Sequence, residues 1–139
     1  MRKFIYRKRP DVLEVHLMER DAGDIIDRWA IAKLKAEHIG ADESRKEYLW
    51  FCGGINELGI KYPEINWNLY QQEILNIHSR IWDLECGIRQ GKMDNDLIEV
   101  GRRAIQIRDW NKKRVALKNE INLKTGEGFQ DIKKNHGSE

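Results

Sequence analysis

Long apolar runs are missing from this 139-residue chain. No stretch approaches the roughly 20 residues that a membrane-crossing helix needs, so no membrane partner is expected. Proline is scarce as well. Only Pro10 and Pro63 occur, and nothing after residue 63 interrupts a long helix. The two cysteines, Cys52 and Cys86, form neither a Cys-x-x-Cys pair nor a Cys/His cluster, and His16, His38, His78 and His136 fall at no ligand spacing. No metal site is therefore expected. A Cys52–Cys86 disulfide stays open, but the start of the chain has no signal peptide character, which favours buried free thiols in a reducing cytoplasm. An excess of one charge is also absent. A net charge of +2 gives no field that would gather nucleic acid. No serine or cysteine sits in a nucleophile motif. Gly53-Gly54 is not a phosphate-binding loop, since neither a preceding strand nor a following Lys-Ser/Thr accompanies it. The sequence thus assigns no catalytic residue and no cofactor.

What is present is a charged helical pattern. Charged residues make up 35% and hydrophobic residues 40%, with five tryptophans suited to filling helix interfaces. The chain is long enough for one domain with a real core. Its organising stretch is Asn66 to Gly126, which reads as a helical hairpin. The first arm runs from Asn66 to about Gln90, the turn is Gly91-Lys92-Met93, and the second arm runs from Asp94 to about Lys124. Trp67, Tyr70, Ile74, Ile77, Ile81, Leu84 and Ile88 recur in steps of three and four, the spacing of a helix packed along a partner.

Two helices precede the hairpin. The first is expected from Asp24, as its cap, to about Ile39, with Gly40 ending it. Ile25, Trp29, Ala32, Ala36 and Ile39 form its apolar face, widened by Ile26, Ala30 and Leu34. Asp27, Arg28, Lys33 and Lys35 are the polar remainder. The second is expected from Asp42 or Glu43 to Leu58, with Tyr48, Phe51 or Cys52, Ile55 and Leu58 as its stripe. Gly53-Gly54 at its centre weakens it or kinks it. Before these helices, Phe4-Ile5-Tyr6 and Val12 to Met18 alternate about Pro10-Asp11, which reads as a β-hairpin. The organisation expected is one all-α bundle of about four helices over 24–126, a small N-terminal β-hairpin over 1–20 and a tail over 127–139. Phe129 and Ile132 in that tail are candidates to dock on the bundle.

The second hairpin arm departs from pattern. Leu97, Val100, Ala104 and Ile107 begin a stripe, but Asn111, Arg114 and Lys118 take the next three steps before Ile121 resumes it, and Asn122 continues the same side. Polar groups in a packing seam cost stability unless they are paired or bind something. Antiparallel arms would set Asn111 to Lys118 against Tyr70, Glu73, Ile77 and His78, or against Asp27 of the first helix. Arg103 would meet Glu85 and Arg89 nearer the turn. Three readings compete: internal salt bridges such as Arg114 or Lys118 with Asp27 or Glu73; a pocket for an anion; and an active site in which Asp27, Glu73 or Glu85 binds metal or acts as base. The carboxylate spacing of all-helical nucleotide pyrophosphohydrolases is not matched. His78, beside the apolar stripe, reads as a satisfied helix histidine.

Three blocks resemble a small bacterial and phage family of unknown function. They are Gly23-Asp24-Ile25-Ile26-Asp27-Arg28, Ile81-Trp82-Asp83-Leu84-Glu85-Cys86-Gly87-Ile88-Arg89, and Asn111 to Asn122 with its Asn-x-x-Arg-x-x-x-Lys-x-x-Ile-Asn spacing. Gly101 to Arg108 and Gly128 to His136 are similar to hypothetical proteins of marine cyanophages. The resemblance implies no activity. It singles out Asp27, Arg28, Lys35, Trp82, Glu85, Arg89, Asn111, Arg114, Lys118 and Asn122 as motif positions. The expectation is a cytoplasmic protein, in the host cytoplasm if phage-encoded. Asp27, Glu85, Arg89, Asn111, Arg114 and Lys118 would bind a small anionic, phosphate-bearing or nucleotide ligand between helices. A metal-dependent nucleotide-processing enzyme is the first alternative. The second is an interaction module, using the N-terminal hairpin or an exposed tryptophan surface on a host protein or a second copy of the chain.

Overall fold

A computed structural model describes residues 20–128. They form four helices: α1 Ala22–His38, α2 Asp42–Lys61, α3 Trp67–Arg89 and α4 Leu97–Thr125. No strand occurs among the described residues. The β-hairpin expected over 1–20 lies outside them except for Arg20, and so do Phe129 and Ile132.

Side chains supply most of the helix starts. Asp21, not Asp24, caps α1: its carboxylate accepts from the Asp24 N–H at 2.8 Å, so the cap lies three residues earlier than expected. Asn66 caps α3 by accepting from the Leu69 N–H at 3.1 Å. Asp96 caps α4 through the Glu99 N–H at 3.1 Å, which places the start at Leu97 rather than Asp94. Gly126, at φ 71°, closes α4 with a left-handed residue. The helix α2 runs unbroken through Gly53-Gly54 and three residues past Leu58.

One apolar cluster joins all four helices. Ile25, Ile26, Trp29 and Ala30 of α1 meet Phe51, Ile55 and Leu58 of α2, Tyr70, Ile74 and Ile77 of α3, and Leu117 and Ile121 of α4. At about 25 cal/mol per Å², burial of such side chains is the main favourable term. The α1 helix is the central element, packing on the other three, while α2 packs chiefly on α1.

The periodicity over-extended two apolar faces. On α1, Ile39 is 61% exposed, because the helix ends at His38 with no neighbour beyond it. On α4, Leu97 is 76% exposed, and the buried positions are Val115, Leu117, Ile121 and Asn122. The hairpin outruns α1 and α2, so in its distal half α3 and α4 have only each other. Neither Leu84 nor Ile88 is fully buried there.

Near the other end, α1 and α4 touch backbone to side chain. The Gly23 N–H, one of the unpaired first-turn donors of α1, donates to Asn122 Oδ1 at 2.8 Å in a buried setting. A Cβ at Gly23 would lie 2.8 Å from the Lys118 carbonyl oxygen and 3.0 Å from Asn122 Oδ1. Gly59 of α2 has nothing within 4 Å of its Cβ position. Gly23→Ala is therefore expected to destabilise the protein by about 1–3 kcal/mol through overpacking. Gly59→Ala should be neutral or stabilising by up to about 1 kcal/mol. Urea denaturation of the two variants beside wild type checks the opposite signs.

Candidate functional site

Each of three helices carries a second stripe beside its core face. On α1 it is Asp27, Ile31, Leu34 and His38; on α3, His78, Trp82, Glu85 and Arg89; on α4, Asn111, Arg114 and Lys118. These steps of three, four and seven keep each set on one side of its helix. Where α1, α3 and α4 diverge, the stripes border a cleft of about 570 Å³.

The floor of this region is a buried ionic network. Asp27 is 5% exposed although it lies among the polar positions of α1. Its Oδ1 sits 2.6 Å from His78 Nε2 on α3, and its Oδ2 accepts from Arg114 Nη1 on α4 at 3.1 Å. Arg114 Nε in turn donates to Asn111 Oδ1 at 3.1 Å. One carboxylate thus ties three helices together. Burial is the largest influence on Asp27 and by itself would raise its pKa. The His78 hydrogen bond and the positive charges of His78, Arg114 and Lys118 together reverse that, and the carboxyl lies below its ordinary value. Asp27 is therefore ionised at neutral pH, and the proton shared with His78 belongs to Nε2.

The cleft opens from this floor. His78, Asn111 and Arg114 line its inner end, Ile31, Leu34, Ile81 and Trp82 its walls, and Lys35, Glu85, Cys86, Arg89 and Gln90 its outer part. Exposure follows that order: the Arg114 side chain is 20% accessible, against 78% for Arg89. The lining cations Lys35, Arg89 and Arg114 each pair with a carboxylate: Glu47 at 3.4 Å, Glu85 at 2.6 Å and Asp27 at 3.1 Å. Asn111 lines the cleft and is held by its Oδ1, which accepts from Arg114. Among the described residues, no three of His, Cys, Asp and Glu come together in a way that could hold a metal ion.

The six residues expected to form a site are thus distributed unequally. Asn111, Arg114, Glu85 and Arg89 line the cleft, while Asp27 lies beneath it and Lys118 acts on Asp27 from the next turn of α4. The expected pairing of Arg114 with Asp27 is present. The expected contact of Arg103 with Glu85 is not: Arg103 donates to Glu99 at 2.9 Å and to the Asp83 and Leu84 carbonyls, while Glu85 accepts from Arg89 one turn on at 2.6 Å. Local i, i+4 geometry brought those groups together first. Of the resemblance positions, Asn122 is a structural partner of Gly23, and Arg28 pairs with Asp24. His78, whose partner proves to be Asp27, was read from the sequence as a satisfied helix histidine and was not placed in the site. The clue to it was its place at i+4 from Ile74, which is fully buried, so that its ring had to meet another helix. The two cysteines are free, Cys52 half-buried and Cys86 exposed, which corrects the expectation that both are buried. Trp29 and Trp67 are buried and the other three tryptophans half-buried, so none forms an exposed tryptophan surface.

Compared with family models, curated proteins and solved structures, the chain matches none. The functional reading therefore stands on the geometry and chemistry of the cleft.

Two outcomes follow from the network. Asp27→Asn should cost about 2–4 kcal/mol, since it leaves the His78 and Arg114 donors facing each other across a buried amide. Arg114→Met should cost less, about 1–2 kcal/mol, because that side chain is partly accessible and Asp27 keeps His78. Chemical denaturation of both variants gives the ranking. The second outcome concerns pH. A depressed folded pKa means that the unfolded chain takes up the Asp27 proton first as pH falls. Its contribution is fully present above the unfolded value of about 3.9 and is lost as pH drops toward the lower folded value. Stability measured from pH 6 down to pH 2 should fall less steeply below about pH 4 in Asp27→Asn than in wild type.

Proposed function

We propose that this protein binds a small anionic ligand, phosphate-bearing by preference, in the cleft between α1, α3 and α4. The observation that carries this reading is the cleft itself: a cavity of ligand size in which Arg114 and Asn111 are held in place at the inner end by Asp27. A surface arginine has to be ordered before it can grip an anion. Here that ordering cost is met within the fold, which is preorganisation in the usual sense. With Nε on Asn111 and Nη1 on Asp27, the guanidinium keeps Nη2 as its remaining nitrogen donor, and the Asn111 amide lies beside it, a combination suited to phosphate or carboxylate oxygens. Arg89 and Lys35, paired with Glu85 and Glu47, place further donors at the outer part where a ligand would enter. Glu85, bonded to Arg89, sets the position of that outer cation.

The test is a thermal-shift panel on the full chain, holding inorganic phosphate, sugar phosphates, nucleotides and cyclic dinucleotides, each with and without magnesium. A ligand at 100 times its Kd stabilises by about 2.7 kcal/mol, a rise of several degrees in Tm. Asn111→Ala should keep the unliganded Tm within a few degrees and weaken the ligand-induced rise. A panel that stays flat at millimolar concentrations overturns the reading and leaves the network as scaffold alone.

A further inference from the structure

The cleft is polar at its ends and apolar between them, and one wall of the middle is an aromatic ring already held in place. Trp82 lines the cleft, and its indole stacks on the His38 imidazole at 4.9 Å between centroids and 18° between planes. His38 is not among the residues that line the cleft, and it backs one face of the indole. Such backing fixes the ring plane, which is what a stacking platform requires. Ile81, Leu34 and Ile31 complete the apolar section. A sugar phosphate or inorganic anion would leave that section unused and hydrated.

Spacing along α3 sets the order of groups. His78, which shares Asp27 with Arg114, is one turn from Trp82, about 6 Å at 1.5 Å rise per residue. The platform is therefore separated from the anion-binding end by the length that a sugar places between a base and its phosphate. Arg89 lies about 10 Å from Trp82 in the opposite direction, on the same rise, and is committed to Glu85. We infer that the cleft takes a nucleoside monophosphate, with the base on Trp82 and the phosphate at Arg114 and Asn111. This rests on the anion-binding reading above and adds to it the requirement for a flat ring.

Three probes separate the two claims: AMP, ribose 5-phosphate and adenosine, titrated calorimetrically into the full chain. The expected result is saturable AMP binding, with ribose 5-phosphate and adenosine each at least tenfold weaker, since stacking a base on an aromatic side chain is a substantial part of such affinities. Trp82→Leu should bring AMP down to the affinity of ribose 5-phosphate and leave ribose 5-phosphate itself unchanged, while Trp82→Phe retains most of the AMP affinity. Ribose 5-phosphate binding as tightly as AMP overturns the ring requirement and leaves the anion cleft standing. Adenosine binding as tightly as AMP overturns the phosphate assignment, and binding of none of the three overturns the nucleoside monophosphate inference, while the anion-binding reading falls only if the thermal-shift panel is also flat. If Trp82→Leu does not fold, fluorescence decides: AMP should quench wild type more than Trp82→Phe, and equal quenching overturns the assignment.

Discussion

A single buried carboxylate constrains this protein. Asp27 leaves water at the junction of α1, α3 and α4, and a lone carboxylate there would be strongly unfavourable. It is tolerated because His78 comes from one neighbouring helix and Arg114 from the other, so its ionised form is kept only when all three helices are docked in one register. A slip of either neighbour by a turn would leave the charge unpaired. Apolar contacts are non-directional, whereas a register that leaves the Asp27 charge without His78 and Arg114 carries the penalty of an unpaired buried charge.

The same network accounts for the cleft. Asp27 holds Arg114, Arg114 holds Asn111, and both lining side chains are consequently fixed at the inner end of a cavity rather than free on a surface. The internal salt bridge and the binding site are therefore not competing explanations. The pairing of Arg114 with Asp27 orders a cation that still borders open space. One turn toward the N-terminus of α1, Asn122 does comparable work for the backbone, accepting the Gly23 N–H where a side chain on residue 23 would not fit.

Much of the helical frame was legible in the residues. The three-and-four spacing from Trp67 to Ile81 marked α3, and Asn66 was recognisable as its start. The interruption at Asn111, Arg114 and Lys118 was legible too, because polar groups on an otherwise apolar seam violate the period. Errors came where the period continued but the neighbour did not. Leu97 and Ile39 keep the helical rhythm, yet nothing packs on them. Arg103 was assigned to Glu85 across the hairpin, whereas Glu99 on its own helix lay closer at hand.

The sequence by itself determined that there are four helices and where most of their apolar faces lie, since these follow from spacing within a few residues, while the starts of α1 and α4 were set by Asp21 and Asp96 rather than by the aspartates the pattern favoured. It also determined that α4 carries polar side chains in need of partners. Only the tertiary structure decided which partners they met. Asp27 and Arg114 are 87 residues apart, and His78 is 51 from Asp27. Their meeting depends on the relative rotation and offset of three helices. That geometry is set by the packing of the whole core, and no local pattern in the chain encodes it.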